Sequence, residues 1–119
     1  MARGRILLVE DEPLLHYLWE DICEDNDIEL VGPAMSNAEA HEHINREGAS
    51  LCAVFLDVNL QSEMSTSTAE LLATTGIPVI VCSGSHGTEL PEIYQQWPVL
   101  EKPYRPSEVE ALLQKLVCS

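Results

Sequence analysis

The stretch Leu51-Cys-Ala-Val-Phe-Leu-Asp57 decides the fold, because six apolar residues in a row lead directly into a carboxylate. A strand with one face in water alternates apolar and polar residues, whereas this run is apolar at every position. A continuous run of this length is typical of a parallel strand that is covered on both faces. The stretch therefore predicts an α/β fold in which helices pack on both sides of a parallel sheet.

Four further apolar runs of strand length lie along the chain, at residues 6–9, 28–31, 77–82 and 99–100. Longer amphipathic stretches separate them, so strands and helices alternate. Five such βα units with right-handed crossovers form a doubly wound five-stranded parallel sheet, for which we expect the strand order 2-1-3-4-5. The length of 119 residues fits a single domain, which we expect to span residues 1–119.

Three Ser-x-x-Glu sequences mark predicted helix starts, because this spacing lets the two side chains cap backbone N–H groups of the first turn. They are Ser36–Glu39, Ser67–Glu70 and Ser107–Glu110. Between the fourth and fifth strands, the stretch 83–96 includes Gly84, Gly87 and Pro91. These residues argue against a regular helix, so we predict that the fourth helix is irregular.

The chain is strongly acidic, with 20 Asp and Glu against six Lys and Arg and a formal net charge of −14. Nucleic acids and anionic membranes bind proteins through Lys and Arg, so we expect neither as a partner. The first apolar run, residues 6–9, is too short for a signal peptide or a membrane span, which predicts a cytoplasmic protein. Cys23, Cys52, Cys82 and Cys118 form no Cys-x-x-Cys pair, and we expect reduced thiols.

Polar side chains stand at the ends of four predicted strands. Glu10 and Asp11 follow the first strand, Asp57 the third, Ser83 ends the fourth, and Lys102 follows the fifth. The carboxyl ends of parallel strands meet at one edge of such a sheet, so we expect these groups to lie together. Two carboxylates about 4 Å apart repel by roughly 4 kcal/mol, so the cluster would take up a proton or a cation. Mg²⁺ suits carboxylate ligands and leaves room for phosphate oxygens, to which the lysine and serine could also bind.

Four segments together resemble the four signatures of response-regulator receiver domains, in the family's order and spacing. They are Ile6-Leu-Leu-Val-Glu-Asp-Glu12, Val54-Phe-Leu-Asp-Val-Asn-Leu60, Ile80-Val-Cys-Ser-Gly84 and Leu100-Glu-Lys-Pro-Tyr104. The resemblance covers essentially the whole chain and implies the flavodoxin-like receiver fold. It also implies a phosphoacceptor of a two-component phosphorelay, with a sensor histidine kinase or a histidine phosphotransferase as its partner.

The resemblance assigns a metal site and an acceptor to the predicted sheet edge. Asp57 would be the phosphoacceptor and a metal ligand, and Asp11 would bind Mg²⁺ directly. Glu10 would assist the metal, often through water, and Asn59 would contribute its backbone carbonyl. The implied cofactor is therefore Mg²⁺, held by oxygen atoms only.

The remaining implied roles concern the phosphoryl group and the signal. Ser83 would bind the phosphoryl group and report its arrival, and Lys102 would anchor it. The Lys102–Pro103 peptide bond would be cis. The family's members are signalling domains that take up a phosphoryl group with Mg²⁺ and lose it slowly. We therefore expect a stand-alone signalling module, a monomer or weak dimer, that acts through protein contacts.

The sequence also departs from the family's common pattern. The loop after the acceptor reads Gln61-Ser-Glu-Met-Ser-Thr66, and Val99 stands three positions before the lysine, where most receivers carry an aromatic switch residue. These features resemble an atypical receiver group that is associated with HWE-type histidine kinases and can lack an ordered fourth helix. In place of that group's Phe-Ala-Thr-Gly-Tyr segment, this chain has Val81-Cys-Ser-Gly-Ser85.

Three other functions fit parts of the pattern. A small Asp-based phosphatase would need a second aspartate two residues after the nucleophile, where this chain has Asn59. A flavodoxin-like electron carrier would need a Ser/Thr-rich phosphate loop after the first strand, where three acids lie at positions 10–12. A degenerate receiver that only docks would not need the complete set of acids, hydroxyl and lysine.

Overall fold

The computed structural model of the protein describes residues 4–60, 62–84 and 89–115. The strands are β1 (Gly4–Val9), β2 (Ile28–Ala34), β3 (Ala53–Asp57), β4 (Asn59–Leu60), β5 (Glu63–Met64), β6 (Val79–Ser83) and β7 (Val99–Glu101). The α-helices are α1 (Pro13–Asp25), α2 (Asn37–Glu47), α3 (Thr66–Ala73) and α4 (Pro106–Lys115). Short 3-10 helices include Gly48–Ser50 and Glu92–Gln96.

Five strands form one parallel sheet in the order β2-β1-β3-β6-β7. This is the predicted order 2-1-3-4-5, so the predicted doubly wound α/β fold is confirmed. The short strands β4 and β5 pair antiparallel as a separate hairpin between β3 and α3, a feature that the sequence did not predict. In the main sheet, Val9 lies beside Leu56 and Asp57 lies beside Cys82. This register brings the carboxyl ends of the three central strands together.

The packing of β3 explains why its sequence is apolar throughout. Val54 and Leu56 belong to the core cluster that includes residues of α2 and α3, whereas Ala53 and Phe55 belong to the cluster that includes residues of α1 and α4. All four side chains are fully buried. On the α1 side, the ring centroid of Trp19 lies 4.5 Å from that of Phe55. A strand with a helix layer on each face has no solvent-facing position, so polar residues are excluded until Asp57.

A bulge in β2 shapes the sheet edge next to β1. Leu7 pairs with Val31, but Val9 pairs with Ala34, so β2 carries one extra residue at this point. Gly32 has φ of +90°, and a Cβ atom there would lie 2.7 Å from the backbone nitrogen of Ala34, so only glycine fits. Beyond the bulge, the carbonyl of Ala34 accepts a hydrogen bond of 2.9 Å from the backbone N–H of Glu10. The bulge thus helps to place the backbone of Glu10.

Only one of the three predicted capping boxes lies at a helix start. The hydroxyl of Ser36 accepts the backbone N–H of Glu39 at 3.2 Å, as predicted. The predictions for Ser67 and Ser107 are wrong, because α3 begins at Thr66 and α4 at Pro106. Both serines lie inside the first turn. Proline at the first helical position accounts for the start of α4, since its ring presets the helical φ angle and its missing N–H costs nothing there.

The region before β7 is irregular, as predicted. Its described part contains the 3-10 helix Glu92–Gln96 and no α-helix, while residues 85–88, which include Gly87, lie outside the described residues. The Lys102–Pro103 bond is cis as expected, and Gly32–Pro33 is cis as well. No helix in the described ranges is long and apolar enough to cross a membrane.

The cysteines differ in part from the prediction of four thiols. Cys23 and Cys82 are free and buried, and burial raises the pKa of both thiols, to about 12 for Cys23. Cys52 forms a disulfide bond, so the prediction is wrong for this residue. The absence of a Cys-x-x-Cys pair excludes only local bridges, whereas the fold decides pairing between distant segments. Cys118 lies outside the described residues.

Candidate functional site

Three predicted site residues meet directly at the sheet edge. Glu10 and Asp57 follow the neighbouring residues Val9 and Leu56, so β1 and β3 deliver them side by side. Lys102, just after β7, reaches across and donates hydrogen bonds to Oε1 of Glu10 at 3.0 Å and to Oδ2 of Asp57 at 2.9 Å. Glu10 is 2% exposed and Asp57 is 5% exposed. The ammonium group therefore bridges two buried carboxylates.

Asp11 completes a group of three acids. One carboxylate oxygen from each of Glu10, Asp11 and Asp57 can be chosen so that all three lie within 4.8 Å of one another. Converging carboxylate oxygens are the donor set that hard divalent cations such as Mg²⁺ prefer. The chemistry of these residues therefore fits the ion that the sequence predicted.

Asn59 lies at the start of the hairpin that follows the acceptor. Its backbone N–H donates to Oδ1 of Asp57 at 3.3 Å, and its side chain is exposed. Together with Lys102, this bond engages both oxygens of the Asp57 carboxylate. Asp57 is thus held from β4 on one side and from β7 on the other. The role of the Asn59 carbonyl stays a prediction.

Ser83 ends β6 next to the acceptor strand. Asp57 pairs in register with Cys82, which places Ser83 one residue further along the neighbouring strand. Ser83 is 3% exposed, and its carbonyl accepts the backbone N–H of Lys102 at 2.8 Å. This backbone bond fixes the start of the lysine side chain to the end of β6. The structure thereby gathers the ends of β1, β3, β6 and β7 in one place.

A cleft of about 450 Å³ opens at this edge. Its lining residues are Glu10, Asp11, Glu12, Leu15, Asp57, Asn59, Leu60 and Lys102. Six of these eight are polar or charged, which suits an ionic ligand better than an apolar one.

The charges in the cleft perturb one another. Burial raises the pKa of Glu10 to about 7, with a further contribution from the neighbouring Asp57 carboxylate, while Lys102 opposes this shift. For Lys102, burial alone would lower the pKa, but the hydrogen bonds to Asp57 and Glu10 raise it overall. The lysine is therefore charged at neutral pH, and Glu10 is close to its midpoint. One ammonium does not fully compensate two buried carboxylates, so a further cation would be favoured here.

Two supporting contacts were not predicted from the sequence. The backbone N–H of Glu12 donates to Oε2 of Glu10 at 3.2 Å, which orients the carboxylate. The indole N–H of Trp19 donates to the hydroxyl of Tyr104 at 2.8 Å, which ties the loop after Lys102 to α1. Residue spacing could not indicate the second contact, because it joins positions 85 residues apart.

The fold and this edge define a class of protein, the doubly wound α/β receivers of signalling pathways. Neither family models nor curated protein sequences gave a match. Among solved structures, the chain is similar to SdrG from Sphingomonas melonis Fr1, with 35% identity, a TM-score of 0.78 and coverage of 99% of this chain and 100% of that chain.

Two further structures are similar to this chain at lower identity. The response regulator PhyR from Brucella abortus is 27% identical with a TM-score of 0.78, and the match covers 98% of this chain but only 48% of PhyR. A response regulator receiver domain (CheY-like) from Methylobacillus flagellatus is 22% identical, with a TM-score of 0.77 and coverage of 95% and 98%. The chain belongs to the response-regulator receiver family of two-component signalling. Its fold is that of a signalling domain and not of a classical enzyme.

Proposed function

We propose that the protein is a phosphoacceptor in which Asp57 takes a phosphoryl group from a phosphohistidine. The observation that carries this proposal is the contact of the Lys102 ammonium with the buried carboxylates of Asp57 and Glu10. Phosphoryl transfer needs little covalent chemistry from a protein, but it needs positioning and charge neutralisation. A buried carboxylate with a fixed ammonium beside it supplies both.

The acidic cluster supports Mg²⁺ as the cofactor. Glu10, Asp11 and Asp57 would hold the ion, and the backbone carbonyl of Asn59 is proposed as a further ligand. When bound, Mg²⁺ would offset the repulsion among the carboxylates and the negative charge of the incoming phosphoryl oxygens.

The proposed transfer changes two bonds. A carboxylate oxygen of Asp57 attacks the phosphorus atom in line with its bond to the histidine nitrogen. The new P–O bond makes an acyl phosphate while the P–N bond breaks, and its electron pair stays on the imidazole. Lys102 then transfers its hydrogen bond from Oδ2 of Asp57 to a phosphoryl oxygen, and the Ser83 hydroxyl binds another. Slow attack by water later returns phosphate and the free carboxylate.

The proposed partners are a sensor histidine kinase and a histidine phosphotransferase. The irregular segment before β7 supports a place in the receiver group associated with HWE-type kinases. A net charge of −14 favours a protein partner over nucleic acid. The proposal also includes a single receiver domain over residues 1–119, a monomeric or weakly dimeric state and a cytoplasmic location.

Incubation with acetyl phosphate and Mg²⁺ tests the proposal. Intact-mass spectrometry should show the gain of one phosphoryl group, which Asp57→Asn abolishes and EDTA suppresses. Asp25→Asn is a matched control, because Asp25 is an exposed acid at the far end of α1. A phosphoryl gain that persists in Asp57→Asn, or no gain in the unsubstituted protein, would contradict phosphorylation at Asp57. No gain in the unsubstituted protein would instead favour the alternative function, a receiver that only docks with its partner.

A further inference from the structure

A buried chain of hydrogen bonds leads from the residue after Asp57 to the irregular segment before β7. Ser65 donates its backbone N–H to the carbonyl of Val58 at 2.9 Å, and its hydroxyl donates to the same carbonyl at 3.2 Å. The Oγ atom of Ser65 lies 3.0 Å from the hydroxyl oxygen of Tyr94. Tyr94 belongs to the 3-10 helix Glu92–Gln96. These hydrogen bonds therefore connect the residue after β3 with the irregular segment before β7.

The direction of each bond follows from the number of protons. A carbonyl can only accept, so the bond to Val58 uses the single hydroxyl proton of Ser65. The Tyr94 hydroxyl must then donate to Ser65. Both side chains are 0% exposed, and a buried hydroxyl without a partner is costly. The phenol is thus held by Ser65 in a fully buried position.

The position of Val58 links these hydrogen bonds to the acceptor residue. Val58 lies between Asp57 and Asn59, and its backbone N–H donates to the carbonyl of Cys82 at 3.2 Å. Any change of charge or ligation that shifts the backbone at 57–59 also shifts the carbonyl that Ser65 binds. At the other end, the backbone carbonyl of Tyr94 accepts the backbone N–H of Trp97 at 3.2 Å, so a shift of Tyr94 would also shift the backbone of Trp97.

We propose that Ser65 and Tyr94 are positioning residues that couple the state of Asp57 to residues 89–97. The proposal rests on the proposed function of Asp57 as phosphoacceptor. Tyr94 is fully buried, and its hydroxyl is the group through which this segment contacts Ser65. Because coupling is reciprocal, a change at Tyr94 also alters the environment of the acceptor loop.

Fluorine NMR on protein labelled with 5-fluorotryptophan tests the coupling. Trp19 and Trp97 are the chain's only tryptophans, so two resonances are expected, and Trp97→Phe assigns them. Addition of Mg²⁺ and beryllofluoride, an analogue of the phosphoryl group, should move the Trp97 resonance. We expect Tyr94→Phe and Ser65→Ala each to reduce this movement by at least half. The double variant should reduce the movement of the Trp97 resonance no more than either single variant does, because both substitutions break the same hydrogen bond.

Two controls separate coupling from loss of structure. Ser65→Thr keeps the hydroxyl and should retain the movement, whereas Tyr17→Phe changes an exposed tyrosine and should have no effect. A full movement of the Trp97 resonance in Tyr94→Phe would overturn the proposal, whatever happens to the variant's stability.

Failure of the proposed function would be recognised separately, by the absence of any response to beryllofluoride and of any phosphoryl mass gain. In that case Asp57→Asn serves as the perturbation, because it alters the acceptor without a ligand. It should move the Trp97 resonance when Tyr94 is present and not in the Tyr94→Phe background. Equal movement in both backgrounds would reject the coupling.

Discussion

The Nζ atom of Lys102 lies 2.9 Å from Oδ2 of Asp57, although the two residues are 45 positions apart and come from strands that are not neighbours in the sheet. The same atom lies 3.0 Å from Oε1 of Glu10. Lys102 thus pairs with two buried acids at the ends of two other strands. This arrangement has consequences for stability, for its dependence on pH and for phosphoryl transfer.

Replacement of Lys102 by Met should destabilise the protein by about 2 kcal/mol near neutral pH, because the substitution keeps the apolar stem but leaves two buried carboxylates uncompensated. Urea denaturation monitored by circular dichroism measures the change. Lys115→Met is the matched control, since it removes the other of the chain's two lysines, which is exposed at the end of α4. An equal loss in both variants would mean that the bridge contributes nothing specific.

The stability of the metal-free protein should depend on the ionisation of Glu10. Its pKa is raised from 4.5 to about 7 by burial and by Asp57, so between these pH values the folded protein binds more protons than the unfolded chain. The free energy of unfolding should therefore fall as the pH rises through this range. Urea denaturation at about pH 5 and about pH 8 shows the effect, and Glu10→Gln should reduce the difference. Glu20→Gln, on the exposed face of α1, should leave the difference unchanged.

Mg²⁺ should reverse this trend, because a cation stabilises the ionised carboxylates that crowd the site. We expect added Mg²⁺ to raise the melting temperature more at about pH 8 than at about pH 5. Differential scanning calorimetry with and without EDTA provides the measurement. Asp11→Asn should weaken the response, and an equal response in Asp11→Asn would argue against this site as the place of binding.

Replacement of Gly32 by Ala should cost roughly 1–3 kcal/mol, because the residue has a positive φ and its new Cβ atom would meet the backbone of Ala34. The carbonyl of Ala34 holds the backbone of Glu10, so the response to Mg²⁺ should weaken as well. Gly48→Ala is the control, since a Cβ atom there makes only ordinary contacts, at 3.5 Å or more. Similar stability losses in the two variants would show that the bulge does not require glycine.

Ser36→Ala should destabilise the protein by about 1 kcal/mol, because the hydroxyl caps the first turn of α2. Ser107→Ala should change little, although Ser107 has the same spacing to a glutamate, since it lies inside α4 and not before it. Chemical denaturation of the two variants compares them directly. A larger loss for Ser107→Ala would contradict the assigned helix start.

The predictions that succeeded rest on patterns within one segment. A continuous apolar run shows burial on both faces because a side chain's exposure along a strand repeats every two residues, and this periodicity is local. The glycines and proline at 84–91 likewise disfavour a helix for local backbone reasons. The helix starts failed where local spacing competed with other signals, as at Ser107, where Pro106 sets the start instead.

The sequence by itself determined the alternation of strands and helices in a doubly wound sheet and the set of polar residues at the strand ends, whereas the expected strand order was that of known folds of this kind. Only the tertiary structure decided which of these groups touch, and it added the bridge of Lys102, the raised pKa of Glu10 and the link from Ser65 to Tyr94. The reason is physical. The backbone conformation and the burial of a segment depend on near neighbours in the chain. Hydrogen bonds between side chains require atoms of distant segments to be placed to within a few tenths of an ångström, and only the folded packing brings those segments together.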